Sequence, residues 1–219
     1  MESVNGMALL RNVGVVLRTW LIVVILWWIA AKITANSLIV PTPWQVLKAI
    51  SQMIGNGEIF RNIWTSLSRL LTGFAIASVL GVSLGFMMGL SAKIRSFLEN
   101  TIEIFRPIAG IAWIPLLLVL VGIGTALPVM IVFYGCFFPI LFNTIMGVRT
   151  VDPVLMRAAA SMCVSKRHLI SQVVAYSALP YILTGMRTAL GLGWMSIVAG
   201  EMFGSSAGLG YAVAHYQDL

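Results

Sequence analysis

A chain of 219 residues that is 59% apolar and only 10% charged has too few charges to cover a water-exposed surface; soluble domains carry about 25% charged residues. Its mean hydropathy of +0.97 points the same way. The net charge of +7 does not indicate a nucleic-acid partner, because the basic residues are scattered through short segments between apolar runs, the distribution that cytoplasmic loop bias produces.

Long charge-free runs define the spans. No charged residue occurs between Arg69 and Lys93, or between Arg106 and Arg149. A bilayer core of about 30 Å takes roughly 20 helical residues. The first run therefore crosses once and the second twice, with Gly122-Ile123-Gly124 as the hairpin. Strict alternation is absent, which argues against a transmembrane barrel.

In chain order, a first span is predicted over residues 17–35, with Lys32 snorkelling to the interface. It lacks an A-x-A-like cleavage site, so it reads as a retained helix rather than a signal peptide. Pro41-Thr42-Pro43 stops it. Residues 44–54 are expected as a short surface helix, broken by Gly55-Asn56-Gly57. The second span covers 66–90, where Gly73, Ala77, Gly81, Gly85 and Gly89 recur every four residues and form one stripe for close helix packing. A polar stretch follows, with Lys93, Arg95, Glu99, Glu103 and Arg106.

The third span is expected over 108–121, with Pro107 at its start and Pro115 as a kink, and the fourth over 126–147, with Pro128 and Pro139. Residues 149–176 form the one extended polar loop. Asp152-Pro153 starts one short helix there, Asp as N-cap and Pro in the first turn, and Ser165 caps a second over 166–175. The fifth span covers 178–203. It has a stripe of Gly185, Ala189 and Gly193, and Arg187 is its lone deep charge. The two cysteines, Cys136 and Cys163, fall in an apolar run and in the polar loop, at different depths, which argues against a disulfide.

Charge sets the orientation. With the N-terminus inside, Arg11, Arg18, Lys93, Arg95, Arg106, Arg149, Arg157, Lys166 and Arg167 all fall on cytoplasmic segments, nine of the fourteen Lys and Arg. This bias favours N-inside and places the 149–176 loop in the cytoplasm. The chain has no G-x-x-x-x-G-K-[ST] phosphate loop and no H-E-x-x-H pair, so no catalytic or metal residue is assigned. His168 and His215 are far apart, and the seven carboxylates are dispersed, with Glu201 alone near the outer end of a span. Proton-coupled carriers place ionisable groups midway.

Arg157-Ala158-Ala159-Ala160-Ser161-Met162-Cys163, followed by Leu179-Pro180, resembles the Glu-Ala-Ala loop of the permease subunits of binding-protein-dependent ATP-driven importers. Ala112-Trp113-Ile114-Pro115-Leu116, Phe137-Phe138-Pro139-Ile140 and the stretch from Gly147 to Pro153 are similar to the nitrate/sulfonate/taurine branch, as is Leu179 to Arg187. The likeness covers roughly residues 40–212, in order. It implies an all-α membrane protein of the ABC importer type I permease fold, with about five transmembrane helices and the family's last helix missing.

The resemblance further implies one permease domain in the bacterial inner membrane, acting as a homodimer with two ATPase subunits and an extracytoplasmic substrate-binding protein. ATP would be bound by the partner chain, and this chain would hold no cofactor and no nucleic acid. Asp152, Arg157, Ala158, Ala159, Cys163 and Ser165 are the expected coupling residues; Gly81, Gly85, Gly89 and Gly185 the packing residues; and Trp113, Asn143 and Thr144 the pathway candidates. The family's loop Glu is Arg157 here and its loop Gly is Cys163, so a charge presented to the ATPase is reversed. A transport-incompetent fragment and an ion-gradient-driven carrier are the competing readings.

Overall fold

Capping side chains, glycines and prolines divide the chain into helices. A computed structural model describes residues 2–34, 40–162 and 164–217, and every regular element among them is helical, as the all-α class requires. The chain forms two compact units, Met1–Phe60 and Arg61–Leu219, each described by itself.

The first unit holds α1 (Glu2–Thr34) and α2 (Pro43–Gly55). The predicted first span falls within α1 except for residue 35, which lies outside the described residues. Near its end Lys32 Nζ sits 5.7 Å from the centroid of the Trp28 ring, a cation–π contact that keeps the charge on an aromatic face. Helix α2 starts at a complete capping box: Thr42 Oγ1 accepts from the Gln45 amide, and Gln45 Oε1 accepts from the Thr42 amide at 2.8 Å.

The second unit begins with α3 (Glu58–Leu90), which starts just before the boundary, and α4 (Ala92–Phe105). A 3-10 turn (Gly110–Trp113) then leads into α5 (Ile114–Val121) and α6 (Ala126–Arg149). After α7 (Pro153–Ser161) and α8 (Lys166–His168), a π-helical turn (Leu169–Val174) feeds α9 (Ala175–Gly204), and α10 (Leu209–Gln217) follows.

Three helical stretches among the described residues are long and apolar enough to cross a membrane: Glu58–Leu90, Ala126–Arg149 and the continuous run Lys166–Gly204. A fourth crossing is counted only if α4 and the Gly110–Val121 segment, bent by 81°, are taken as one broken span. The predicted third span is therefore broken more extensively than by the kink expected at Pro115. Pro107, Gly110 and Pro115 interrupt it, and eight residues of α5 rise only about 12 Å. The second short loop helix is also different from the expectation. No breaker separates residue 166 from 176, so the chain runs into α9 through the π turn, and Pro180 lies inside that helix rather than at its start.

Helix α6 is the axis of this unit. Ile131, Val132, Cys136, Ile140, Leu141 and Thr144 are fully buried. One face meets the glycine stripe of α3. A Cβ added at Gly73 would meet Val132, at Gly81 Ile140, at Gly85 Thr144, and at Gly89 Val148. Glycine and partner advance by the same step, so α3 and α6 run parallel and in register. The other face meets α9, antiparallel: Gly185 lies on Asn143, Gly193 on Cys136 and Gly200 on Pro128. The small residues let the backbones approach closely, which is how helices associate where lipid removes the hydrophobic drive between them. Large apolar residues still face outward, such as Val119 at 84% exposure and Val79 at 66%, as a membrane-facing surface permits and an aqueous one does not.

A buried polar cluster ties α3 to the end of α9. Asn62, Ser66 and Arg69 recur at helical spacing along one face of α3 and are nearly inaccessible. Glu201 is fully buried and accepts from Arg69 Nη1 at 2.9 Å, Ser66 Oγ at 2.7 Å and the Gly210 amide at 3.0 Å. Arg69 Nη1 also donates to the Ala207 carbonyl at 2.6 Å, and the amides of Gly208 and Leu209 donate to Asn62 Oδ1 and Ser66 Oγ. Gly208 has φ +118°, and a Cβ there would fall 2.3 Å from Glu201 Oε1, so only glycine fits. The structure thus buries Arg69 and Glu201, whereas Arg187, expected as the deep charge, is exposed on α9.

Two outcomes are expected. Gly85→Leu destabilises the chain by about 1–3 kcal/mol, because the Thr144 side chain must move, and thermal unfolding in detergent registers the loss. Glu201→Ala costs about 3–5 kcal/mol by stranding a buried guanidinium, while the double variant Arg69→Met with Glu201→Leu regains most of it; equal losses in single and double variants would contradict the pairing.

Candidate functional site

The direction of the helices brings one set of loops to one end. Gly89 of α3 meets Val148 of α6, and Gly147 meets Ala178 and Tyr181 of α9. Lys93, Arg95, Arg149, Arg157, Lys166 and Arg167 therefore collect at the same end of the unit, on or beside α4, α7 and α8.

At that end α7 is held on a short tether. Thr150 caps α6, its amide donating to the Met146 carbonyl at 3.0 Å. Two residues later Asp152 Oδ1 accepts from the Val154 amide at 2.7 Å, and the Asp152 carbonyl accepts from Met156. The expected N-cap and the proline in the first turn are both present. Val154, Leu155, Arg157 and Ala158 are exposed and Ala159 is buried. Ser165 caps α8, its Oγ accepting from the His168 amide at 3.4 Å. Cys163 lies outside the described residues. The structure therefore brings Asp152, Arg157, Ala158, Ala159 and Ser165 into one segment that links the last turn of α6 to the start of the α9 run. Its outward side combines apolar side chains with the cationic Arg157, a composition suited to a protein surface carrying acidic groups.

A cavity of about 510 Å³ opens on the other side of α6. Its walls are the elbow after α4 (Arg106, Ile108–Ile111), one face of α6 (Tyr134, Phe138, Phe142, Asn143) and one face of α9 (Leu192, Met195, Ser196). That volume lies in the usual range for small-molecule sites. The Arg106 guanidinium lies 4.4 Å from the Phe142 ring centroid. Tyr134 Oη donates to the Phe105 carbonyl at 2.5 Å, pinning the end of α4 to α6. Asn143 Nδ2 donates to the Pro139 carbonyl at 2.8 Å.

The three pathway candidates fare differently. Asn143 lines the cavity. Thr144 does not: it is fully buried against Gly85, and its hydroxyl donates to the Ile140 carbonyl at 2.7 Å. Trp113 makes tilted ring contacts with Phe105 and Tyr134, with centroids 6.0 and 5.9 Å away, and its buried Nε1 has no partner among the described residues. Sequence reasoning missed Arg106, Tyr134 and Ser196 as cavity residues. The available signal was Arg106-Pro107, a cation at the mouth of a long apolar run where the helix must stop. The facing of Gly135 onto Ser196 had no local signature.

Residues 77–217 match the protein family described as binding-protein-dependent transport system inner membrane component. The chain is similar to a protein of Methanocaldococcus jannaschii named as an ABC transporter permease, 37% identical over 201 residues, covering 90% of this chain and 75% of the other. It is similar to the taurine transport system permease protein of Escherichia coli, 32% identical over 209 residues, covering 93% and 76%. A bicarbonate transport system permease protein of Synechococcus elongatus is 35% identical over 156 residues, covering 71% and 56%.

Removing the α7 cap has a local cost. Asp152→Ala weakens α7 by about 1 kcal/mol, so amide exchange across Pro153–Ser161 speeds up roughly fivefold while α6 is unchanged. Hydrogen-exchange mass spectrometry reads both.

Proposed function

Since the chain belongs to the binding-protein-dependent transport system inner membrane component family, nitrate/sulfonate/taurine branch, as a multi-pass inner-membrane permease of an ABC importer, we propose that it carries small sulfonates, taurine or related anions, with α7 as the piece that transmits ATPase closure. Members of this family work with ATPase and substrate-binding partners. Here the arrangement is read as two copies of this chain, two ATPases that hydrolyse the ATP, and an extracytoplasmic binding protein.

One observation carries the reading. The segment from Asp152 to Ser165 joins α6 to the α9 run at the basic end of the unit, and both helices form walls of the cavity. A push on α7 therefore acts on both walls at once. Collection of the cations at that end supports a cytoplasmic location for α7, by the positive-inside rule; the N-terminus is read as inside from the count of basic residues along the sequence alone. The buried Arg69–Glu201 pair argues against an ion-gradient carrier. Its carboxylate is already matched by a guanidinium, a hydroxyl and an amide, and it sits at the opposite end from α7 rather than midway. The anion class rests on the names of the taurine and bicarbonate relatives and on the Arg106 cation at the cavity, which has no acidic partner among the described residues.

The expected outcome is ATP-dependent uptake of taurine into proteoliposomes containing the chain with its cognate ATPase and binding protein. Arg157→Glu reduces co-purification of the ATPase by about tenfold, as reversing one interfacial charge costs several kcal/mol at most, and leaves the chain's own elution profile unchanged. Failure of the intact chain to retain the ATPase, or uptake that persists without ATPase and follows an ion gradient, overturns the reading.

A further inference from the structure

The cavity is lined by one cation and no carboxylate. Arg106 reaches it because Pro107 ends α4 and the chain bends by 81° into the Gly110–Val121 segment. Among the described residues its guanidinium pairs with no acidic group. Its neighbour is the Phe142 ring face, at 4.4 Å, which contacts the cation without consuming its N–H donors.

The remaining polar groups have a definite sense. Tyr134 Oη spends its proton on the Phe105 carbonyl. One N–H of Asn143 goes to the Pro139 carbonyl, which leaves the second. Ser196 Oγ is half-buried and has no hydrogen-bond partner among the described residues. It faces Gly135, where a Cβ would come within 2.6 Å, so the glycine keeps that wall open. Arg106, Asn143 and Ser196 thus offer donors, and no carboxylate among the described residues lines the cavity with them. Phe138 and Met195 supply apolar wall beside them.

The α6 wall from Tyr134 to Asn143 lies near the middle of that 24-residue helix, while Arg106 is exposed at the end of α4 with its guanidinium against Phe142, nearer the basic end. An exposed guanidinium at the cavity with no acidic partner among the described residues keeps its N–H donors for an arriving anion.

We propose that this cavity is an anion-holding station inside the membrane, in which Arg106 supplies the charge, Asn143 and Ser196 supply hydrogen bonds to the oxyanion head, and the aromatic wall accepts a short organic tail. Its place on a transport route rests on the importer reading, but its selectivity for anions is a property of the chain itself and is tested without ATPase.

The test uses the full chain with Cys136→Ala and Cys163→Ala and a single reporter, Ser196→Cys, with Leu192→Cys as a second reporter. Thiol modification rates are measured with the anionic 2-sulfonatoethyl and the cationic 2-(trimethylammonium)ethyl methanethiosulfonates, each divided by that reagent's rate with free 2-mercaptoethanol. A focused positive site raises the anionic rate over the cationic rate by about tenfold or more. The preference falls to about one in Arg106→Gln and survives in Arg106→Lys. Independently of any Arg106 variant, millimolar methanesulfonate slows a neutral thiol reagent at the reporter, and choline does not. A charge preference unchanged by Arg106→Gln, equal effects of methanesulfonate and choline, or two unreactive reporters in a folded chain each overturn the proposal. Loss of ATPase co-purification with the preference intact would instead overturn the importer reading alone.

Discussion

Close approach of α3 and α9 to α6 is the constraint from which the remaining features follow. Inside a bilayer, helices gain little by hiding apolar side chains from lipid, so packing depends on how closely backbones fit. The α3 glycines give α6 a flat, four-residue-spaced track, and the α9 glycines do the same on the opposite side. Because the steps match, the contacts also set register and direction: parallel on one side, antiparallel on the other. That choice decides which loops share an end of the unit, and so why the basic residues and α7 lie together.

Charge is handled differently at the two other polar places. Near one end, Arg69 and Glu201 are sealed in: Glu201 accepts from Arg69, Ser66 and the Gly210 amide, and Arg69 Nη1 donates to Glu201 and to the Ala207 carbonyl, while its buried Nε has no partner among the described residues. Such a buried pair adds little net stability against an apolar replacement, but it specifies where the chain turns after α9 and why Gly208 must be glycine. At the cavity, by contrast, the Arg106 cation faces open space and an aromatic ring. One charge is closed by protein and serves position; the other has no acidic partner among the described residues.

Legibility in the sequence varied with the range of the signal. Asp152-Pro153 and Ser165 announced helix starts correctly, because a cap acts on an amide two or three residues away. The glycine stripe was legible because its period is that of a helix. The third span was legible only in part: a kink at Pro115 was expected in the charge-free run from Ile108 to Val121, but Pro107, Gly110 and Pro115 together divide it into a turn and a short helix. The second loop helix starts as expected at the Ser165 cap, but it does not end as a separate helix, since the chain between Lys166 and Tyr176 has no breaker and a π turn joins it to α9. Thr144 looked like a polar group available to an anion, yet its hydroxyl is consumed by the carbonyl one turn back.

The sequence by itself determined the membrane class, the charge-free runs, the caps and the small-residue stripes, since each depends on composition or on neighbours within one helical turn. Only the tertiary structure decided the pairing of Arg69 with Glu201, the partner of each glycine, and the convergence of Arg106, Asn143 and Ser196 on one cavity. Those contacts join residues far apart in the chain, and their geometry comes from backbone approach and from an 81° bend that no local pattern encodes.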